Sequence, residues 1–157
     1  EHISFMCSGR PPLNDMFTPE YIVGLVDGEG SFTVYIRDPN SSDARIRRVK
    51  AEPKFYLKLV EKDKEILEEL KRYFGCGNVY FQKDSRQHHQ QCYRYEVAKR
   101  NDLERVIIPF FRRYPPRFPS KNKDFKIFCD LVEMMGRGNH LTQPGLMRMY
   151  ALKQEMH

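Results

Sequence analysis

"PEYIVGLVDGEGSF", residues 19–32, decides how this chain is read. Thr18 suits a helix N-cap, Pro19 the first helical position, and Glu20 the first turn. The helix runs through EYIVGLV and stops around Gly28–Gly30. Then SFTVYIR alternates, with Phe32, Val34 and Ile36 on one face and Thr33, Tyr35 and Arg37 on the other, as a half-buried strand does. Asp27 and Glu29 therefore sit at the helix C-terminus, where the macrodipole is already negative and a carboxylate is unfavourable. Solvated turn acids are the plainer reading of DGEG taken alone. A nucleotide-binding loop fails, because the segment lacks the Lys-Ser/Thr pair and follows a helix instead of a strand.

Working outward, a turn DPNSSD leads to a second strand near 46–59, with Phe55, Leu57 and Leu59 inward and Lys50, Glu52, Lys54, Tyr56 and Lys58 outward. Asp63 is placed to cap a helix carrying Ile66, Leu67, Leu70 and Phe74 on one stripe and ended by GCG. Strands at 78–83 and 92–99 follow, in which Val79 and Phe81 alternate with Tyr80 and Gln82, and Tyr95 and Val97 with Arg94 and Glu96. A short helix from Asn101 or Asp102 is expected to stop at Pro109, and the proline-rich 112–120 to form a basic loop. Two helices close the chain: DFKIFCDLVEMM, then one capped by Thr142 with Pro144 in its first turn. Residues 1–17 read as an irregular arm and 18–157 as one domain. The expected fold is α+β, in αββαββα order, with a four-stranded antiparallel sheet covered by helices on one face and open on the other.

The 157 residues are 40% hydrophobic, enough for a globular core and too many for a disordered chain. The net charge of +6 is unevenly spread: segments 45–58 and 112–126 each carry six bases against one acid, which favours a polyanion as partner. No apolar run approaches the roughly 20 residues of a membrane span. A soluble intracellular protein without membrane contact is expected. Cys7, Cys76, Cys92 and Cys129 form no CxxC pair and read as free thiols, and His88 and His89 beside Cys92 lack the second ligand pair a zinc site needs. The open sheet face, with Tyr35, Arg37, Lys50, Lys54, Tyr56, Tyr80, Gln82 and Arg94, offers long donors that reach base edges and phosphates, and it holds few acids.

Gly24 and Gly28, four apart, share one helix face, where each costs roughly 1 kcal/mol against alanine. The usual return is close approach of another backbone. No other helix in the chain matches this one, so its own copy across a two-fold axis is the expected partner, with Gly24, Gly28 and Asp27 at the interface. The axis brings two Glu29 carboxylates together, a cluster that divalent cations with oxygen ligands would neutralise.

At this point YIVGLVDGEGSF resembles the LAGLIDADG motif of intron-encoded homing endonucleases. The helix and strand order, FGCGNVYF, and the tail DFKIFCDLVEMM with HLTQPGL are similar to single-motif members, over roughly 19–156. The resemblance implies a homodimer that cuts double-stranded DNA at a long pseudo-palindromic site and leaves 3′ overhangs. It implies Mg²⁺ as cofactor, with Mn²⁺ as substitute and Ca²⁺ supporting binding without cleavage. It makes Glu29 the catalytic metal-holding acid, the Gly28 carbonyl a second metal ligand, Asp27 a structural acid, and Lys121 the basic residue at the scissile phosphate, with Lys123 as the other candidate. The DNA-binding set is then Thr33, Tyr35, Arg37, Lys50, Glu52, Lys54, Tyr56, Lys58, Tyr80, Gln82, Arg94, Glu96 and Lys123. The glutamine that orders water in some relatives falls at Leu59, which cannot hydrogen-bond. Intron RNA, for a maturase, and DNA binding without cleavage are the alternatives. The protein would work beside its host's genome, in a prokaryotic cytoplasm or an organelle.

Overall fold

The protein is described by a computed structural model over residues 17–43, 49–83, 85–86 and 90–157. The arm up to residue 16, with Cys7, the start of the expected second strand at 46–48, and His88 and His89 lie outside the described residues. Helix α1 (Pro19–Glu29) leads into β1 (Gly30–Ile36), which pairs antiparallel with β2 (Ala51–Val60). A 3-10 turn at Glu61–Asp63 and α2 (Lys64–Phe74) precede β3 (Asn78–Gln82) and β4 (Cys92–Val97). The sheet is antiparallel in the order β1-β2-β4-β3, the α+β arrangement expected from the alternation.

Local chemistry sets the ends of these elements. Thr18 Oγ1 accepts from the Tyr21 amide at 3.2 Å, and Thr142 Oγ1 from the Gly145 amide at 3.2 Å. Gly75 closes α2 at φ +69, a left-handed turn that glycine adopts without a Cβ clash. Asp63 differs from expectation: it precedes α2, but it is the last residue of the 3-10 turn that leads into the helix, and its side chain makes no cap hydrogen bond.

The helical stretch after β4 departs further. Short α3 (Arg100–Asp102) continues into a π-helical segment (Leu103–Ile107) and then α4 (Ile108–Arg113), so Pro109 does not stop the helix. The Ile108 amide bonds to the Leu103 carbonyl, five residues back, and the α-helix restarts with Pro109 in its first turn, where its missing N–H is no loss. The next helix, α5 (Pro119–Gly136), begins with Pro119 in its first turn and takes in the end of what reads as a basic loop. Lys121 and Lys123 are thus helical. A 3-10 turn (Asn139–Leu141) and α6 (Gln143–Lys153) complete the chain.

The core lies between the inner sheet face and the helices. Phe32 and Phe55 stack at 5.1 Å between ring centres and meet Phe111 of α4, while Phe125 and Phe128 of α5 close over Phe32. Burial alternates strictly along β1 and the first seven residues of β2. One inward expectation fails: Phe81 is half exposed. It lies on β3, the outermost strand, and leans on Tyr93 of β4 at 5.4 Å. Cys76, Cys92 and Cys129 are free thiols, and burial pushes the Cys129 thiol up to about 11. Among the described residues no helix is long and apolar enough to cross a membrane.

Candidate active site and nucleic-acid interface

The two acids of the opening stretch have opposite fates. Asp27 is buried, and its carboxylate accepts from the backbone amides of Arg117 (3.1 Å to each oxygen) and Phe118 (3.2 Å). Those amides belong to the turn before α5, so an acid at the end of α1 anchors the start of a helix ninety residues later. Glu29, two residues on, is exposed and has no partner among the described residues.

Anchoring the start of α5 positions Lys121. Its Nζ donates to the Gly30 carbonyl at the junction of α1 and β1, which brings the ammonium beside the backbone that carries Gly28 and Glu29. Gly30 itself has to be small, since a Cβ there would lie 2.7 Å from Val26 Cγ1. Lys123, two residues further along α5, is exposed and makes no such contact. Gly28, near the helix end, has one of the last carbonyls, which lack intrahelical partners. Gly24 and Gly28 are exposed, and a Cβ at either would meet nothing within 4 Å. Packing inside the chain therefore does not demand glycine at these positions.

The open face is built as the alternation requires. Thr33, Tyr35, Glu52, Lys54, Tyr56, Lys58, Gln82 and Arg94 are half-buried, Lys50 and Tyr80 exposed, and Arg37 continues the β1 side. The face is not simply basic. Glu52 and Glu96 sit among the bases, Glu96 only 9% exposed. Lys54 Nζ lies 3.2 Å from Glu52 and 3.8 Å from Glu96, and Arg94 Nη2 lies 3.1 Å from Glu96. The Tyr80 hydroxyl donates to Glu96 Oε2 at 2.9 Å; burial and then this bond raise its pKa. Arg94 lies over the Tyr56 ring at 3.5 Å. By contrast Arg37, Lys50 and Lys58 have no acid partner among the described residues. Leu59 packs against the core and contributes nothing polar.

Sequence reasoning missed the frame that α6 gives this face. Tyr150, Lys153 and Gln154 line a pocket with Thr33, Tyr35, Glu52 and Lys54, while His140 and Gln143 line another with Arg37 and Lys50. His140 is held below the usual histidine range by burial and by Arg100 and Lys50. The caps of α6 are legible in sequence, but its docking beside the edge strand β1 depends on distant contacts. Among the described residues no three His, Cys, Asp or Glu side chains cluster as metal ligands, so any cation here would draw on Glu29, backbone oxygen and groups from outside this chain.

The chain is similar to several known proteins. The chain is 32% identical over 135 residues to the probable intron-encoded endonuclease 3 of Neurospora crassa; the match takes in 85% of this chain but only 24% of that protein. Among solved structures it superposes on the homing endonuclease I-TnaI with a TM-score of 0.73 at 33% identity, covering 90% of this chain and 88% of that one. It also superposes on I-SmaMI bound to an uncleaved DNA target in the presence of calcium ions, with a TM-score of 0.74 at 30% identity, covering 90% of this chain and 45% of that one. The family model for LAGLIDADG endonucleases matches residues 22–132, from α1 through most of α5. The helix that ends in Asp27 and Glu29, the sheet behind it and the helices that brace it thus make this chain a member of the LAGLIDADG endonuclease family.

Proposed function

We propose that the chain is a site-specific, double-strand DNA endonuclease that works as a homodimer on a long pseudo-palindromic target. One observation carries the reading: Glu29, without a partner among the described residues, and Lys121, tethered to the Gly30 carbonyl, both lie at the α1–β1 junction, at the edge of an open sheet rich in long donors. An exposed carboxylate at a helix C-terminus has no local reason to be there, and opposing positive charge would relieve it.

The donors at this junction fit a divalent cation. Glu29 supplies a hard carboxylate oxygen and Gly28 a helix-end carbonyl, the ligand class that Mg²⁺ prefers, with Mn²⁺ as a substitute and Ca²⁺ as a ligand for binding alone. When bound, the metal would help activate water and offset charge on the leaving oxygen. Lys121 spends one of its three donors on Gly30 and keeps two for a phosphodiester beside it. Its fixed ammonium stabilises charge that builds on the phosphate as the bond breaks. Asp27 stays outside the chemistry and keeps Lys121 in reach through the 117–118 amides. With Leu59 turned to the core, the ordering of the attacking water falls to Lys58, to Glu61 or to solvent, or else catalysis is weakened.

The homodimer rests on Gly24 and Gly28. Both face open space, so their missing side chains suit another helix approaching closely, and a second α1 across a two-fold axis would bring two Glu29 together. Each copy then reads half the target with its open sheet, and the paired sites cut both strands to leave 3′ overhangs.

The test is cleavage of duplex DNA spanning the uninterrupted host locus. Cutting in Mg²⁺, binding without cutting in Ca²⁺, and loss of cutting with retained binding in Glu29→Gln are expected. A variant that still cuts at the native rate sinks the assignment of Glu29. Solution mass of the DNA complex tests the dimer, and one chain per duplex ends it.

A further inference from the structure

Glu96 carries more than a place in the row of outward residues. It is an almost buried acid on a face meant for an anion, and both of its oxygens are engaged. Oε2 accepts the Tyr80 hydroxyl at 2.9 Å, while Oε1 faces Arg94 at 3.1 Å and Lys54 at 3.8 Å. The register explains the convergence: Glu96 pairs with Tyr56 on β2 and Asn78 on β3, so Arg94 and Tyr80 are its same-face neighbours along and across the strands. Arg94 is held from two sides, by the carboxylate and by the Tyr56 ring 3.5 Å beneath it. Its guanidinium still has donors to give, and Nε is buried without a partner among the described residues. The cluster is fixed but not satisfied.

We infer that Glu96 is a positioning residue for base recognition: it holds Arg94 and Tyr80 in fixed poses toward base edges and cancels the charge that would otherwise grip phosphate regardless of sequence. The inference rests on DNA as the ligand of the open face. Long basic side chains lose rotamer freedom when they bind, and a pose fixed beforehand removes part of that cost. Lys54 and Arg94 are balanced by Glu52 and Glu96, so this patch has little pull on the backbone, whereas Arg37, Lys50 and Lys58 have no such counter-charge among the described residues. Phosphate contacts bind without reading, and contacts to base edges read. Glu96 therefore divides one face into a reading centre and gripping margins.

The test selects from duplexes of random sequence with the full chain in Ca²⁺, and measures affinity for sonicated genomic DNA across salt. The native chain should enrich a defined sequence. Glu96→Gln should bind the genomic DNA several-fold more tightly, with a steeper salt slope, since a freed cation now reaches phosphate. It should also lose about tenfold or more of the preference at the base pairs where Arg94→Ala loses its own. Tyr80→Phe, which removes one bond and no charge, should shift the same base pairs less and leave the salt slope alone. Thermal melting followed by circular dichroism accompanies each variant, and Tyr80→Phe with Arg94→Ala serves if Glu96→Gln does not fold. An unchanged preference in Glu96→Gln or Tyr80→Phe, or a loss of affinity equal for all sequences, overturns the inference while leaving DNA recognition intact. Failure of the native chain to enrich any sequence overturns both.

Discussion

Lys54 and Phe55 are neighbours in the chain and belong to different worlds. Phe55 is fully buried among Phe32, Phe74, Tyr95 and Phe111, while Lys54 stands between two glutamates on the open face. The inner face is held by ring packing and excluded water, the outer by ion pairs in reach of solvent. Ion pairs that keep contact with water add less to stability than buried rings do, and the inner face supplies most of it. Under the proposed function one strand carries stability and recognition on alternate residues, and changes on the two faces should separate cleanly in experiment.

The greatest loss is expected inside. Phe55→Ala empties the centre of the aromatic cluster and should cost about 3–5 kcal/mol in denaturant unfolding; a loss under 1 kcal/mol would mean that the sheet is braced elsewhere. Asp27→Ala comes next. It strands two amides in a half-buried turn, for about 1–3 kcal/mol, and also lowers cleavage because Lys121 loses its frame. Glu29→Gln marks the opposite case, with unfolding unchanged within about 0.5 kcal/mol and cutting abolished. Arg37→Ala should leave the melting curve alone and make the salt dependence of DNA binding shallower by about one. The smallest effect concerns acid. The pKa of His140 is lowered in the folded chain, so the unfolded chain takes its proton more readily and stability falls as pH drops below the ordinary histidine range. His140→Gln should flatten that part of the stability profile, and an unaltered profile would clear His140 of the role.

Much of this was legible because it is local. Alternation from Phe32 to Ile36 and from Phe55 to Leu57 told which residues face the core, and Thr18, Gly75 and Thr142 marked helix ends by their own chemistry. What escaped depends on partners far along the chain. Pro109 reads as a stop because the π segment that accommodates it leaves no mark in composition. Lys121 falls between the expected basic loop and the expected helix DFKIFCDLVEMM, and nothing nearby tells that Pro119 opens a helix whose approach is fixed by Asp27. Phe81 looks inward by period, but a strand at the sheet's margin has less to hide it. Glu96 looks like any outward acid until the register puts Tyr80, Arg94 and Lys54 around it.

The bond from Asp27 to the 117–118 amides has a consequence for how such a chain can change. It fastens Glu29 and Lys121 into one frame at the Gly30 end of β1, while Thr33, Tyr35 and Arg37 run away from that end. Substitutions along the far part of the sheet leave this frame untouched. Under the proposed function, the vocabulary of the surface is free to drift toward new targets, and the cutting tool need not be re-forged each time.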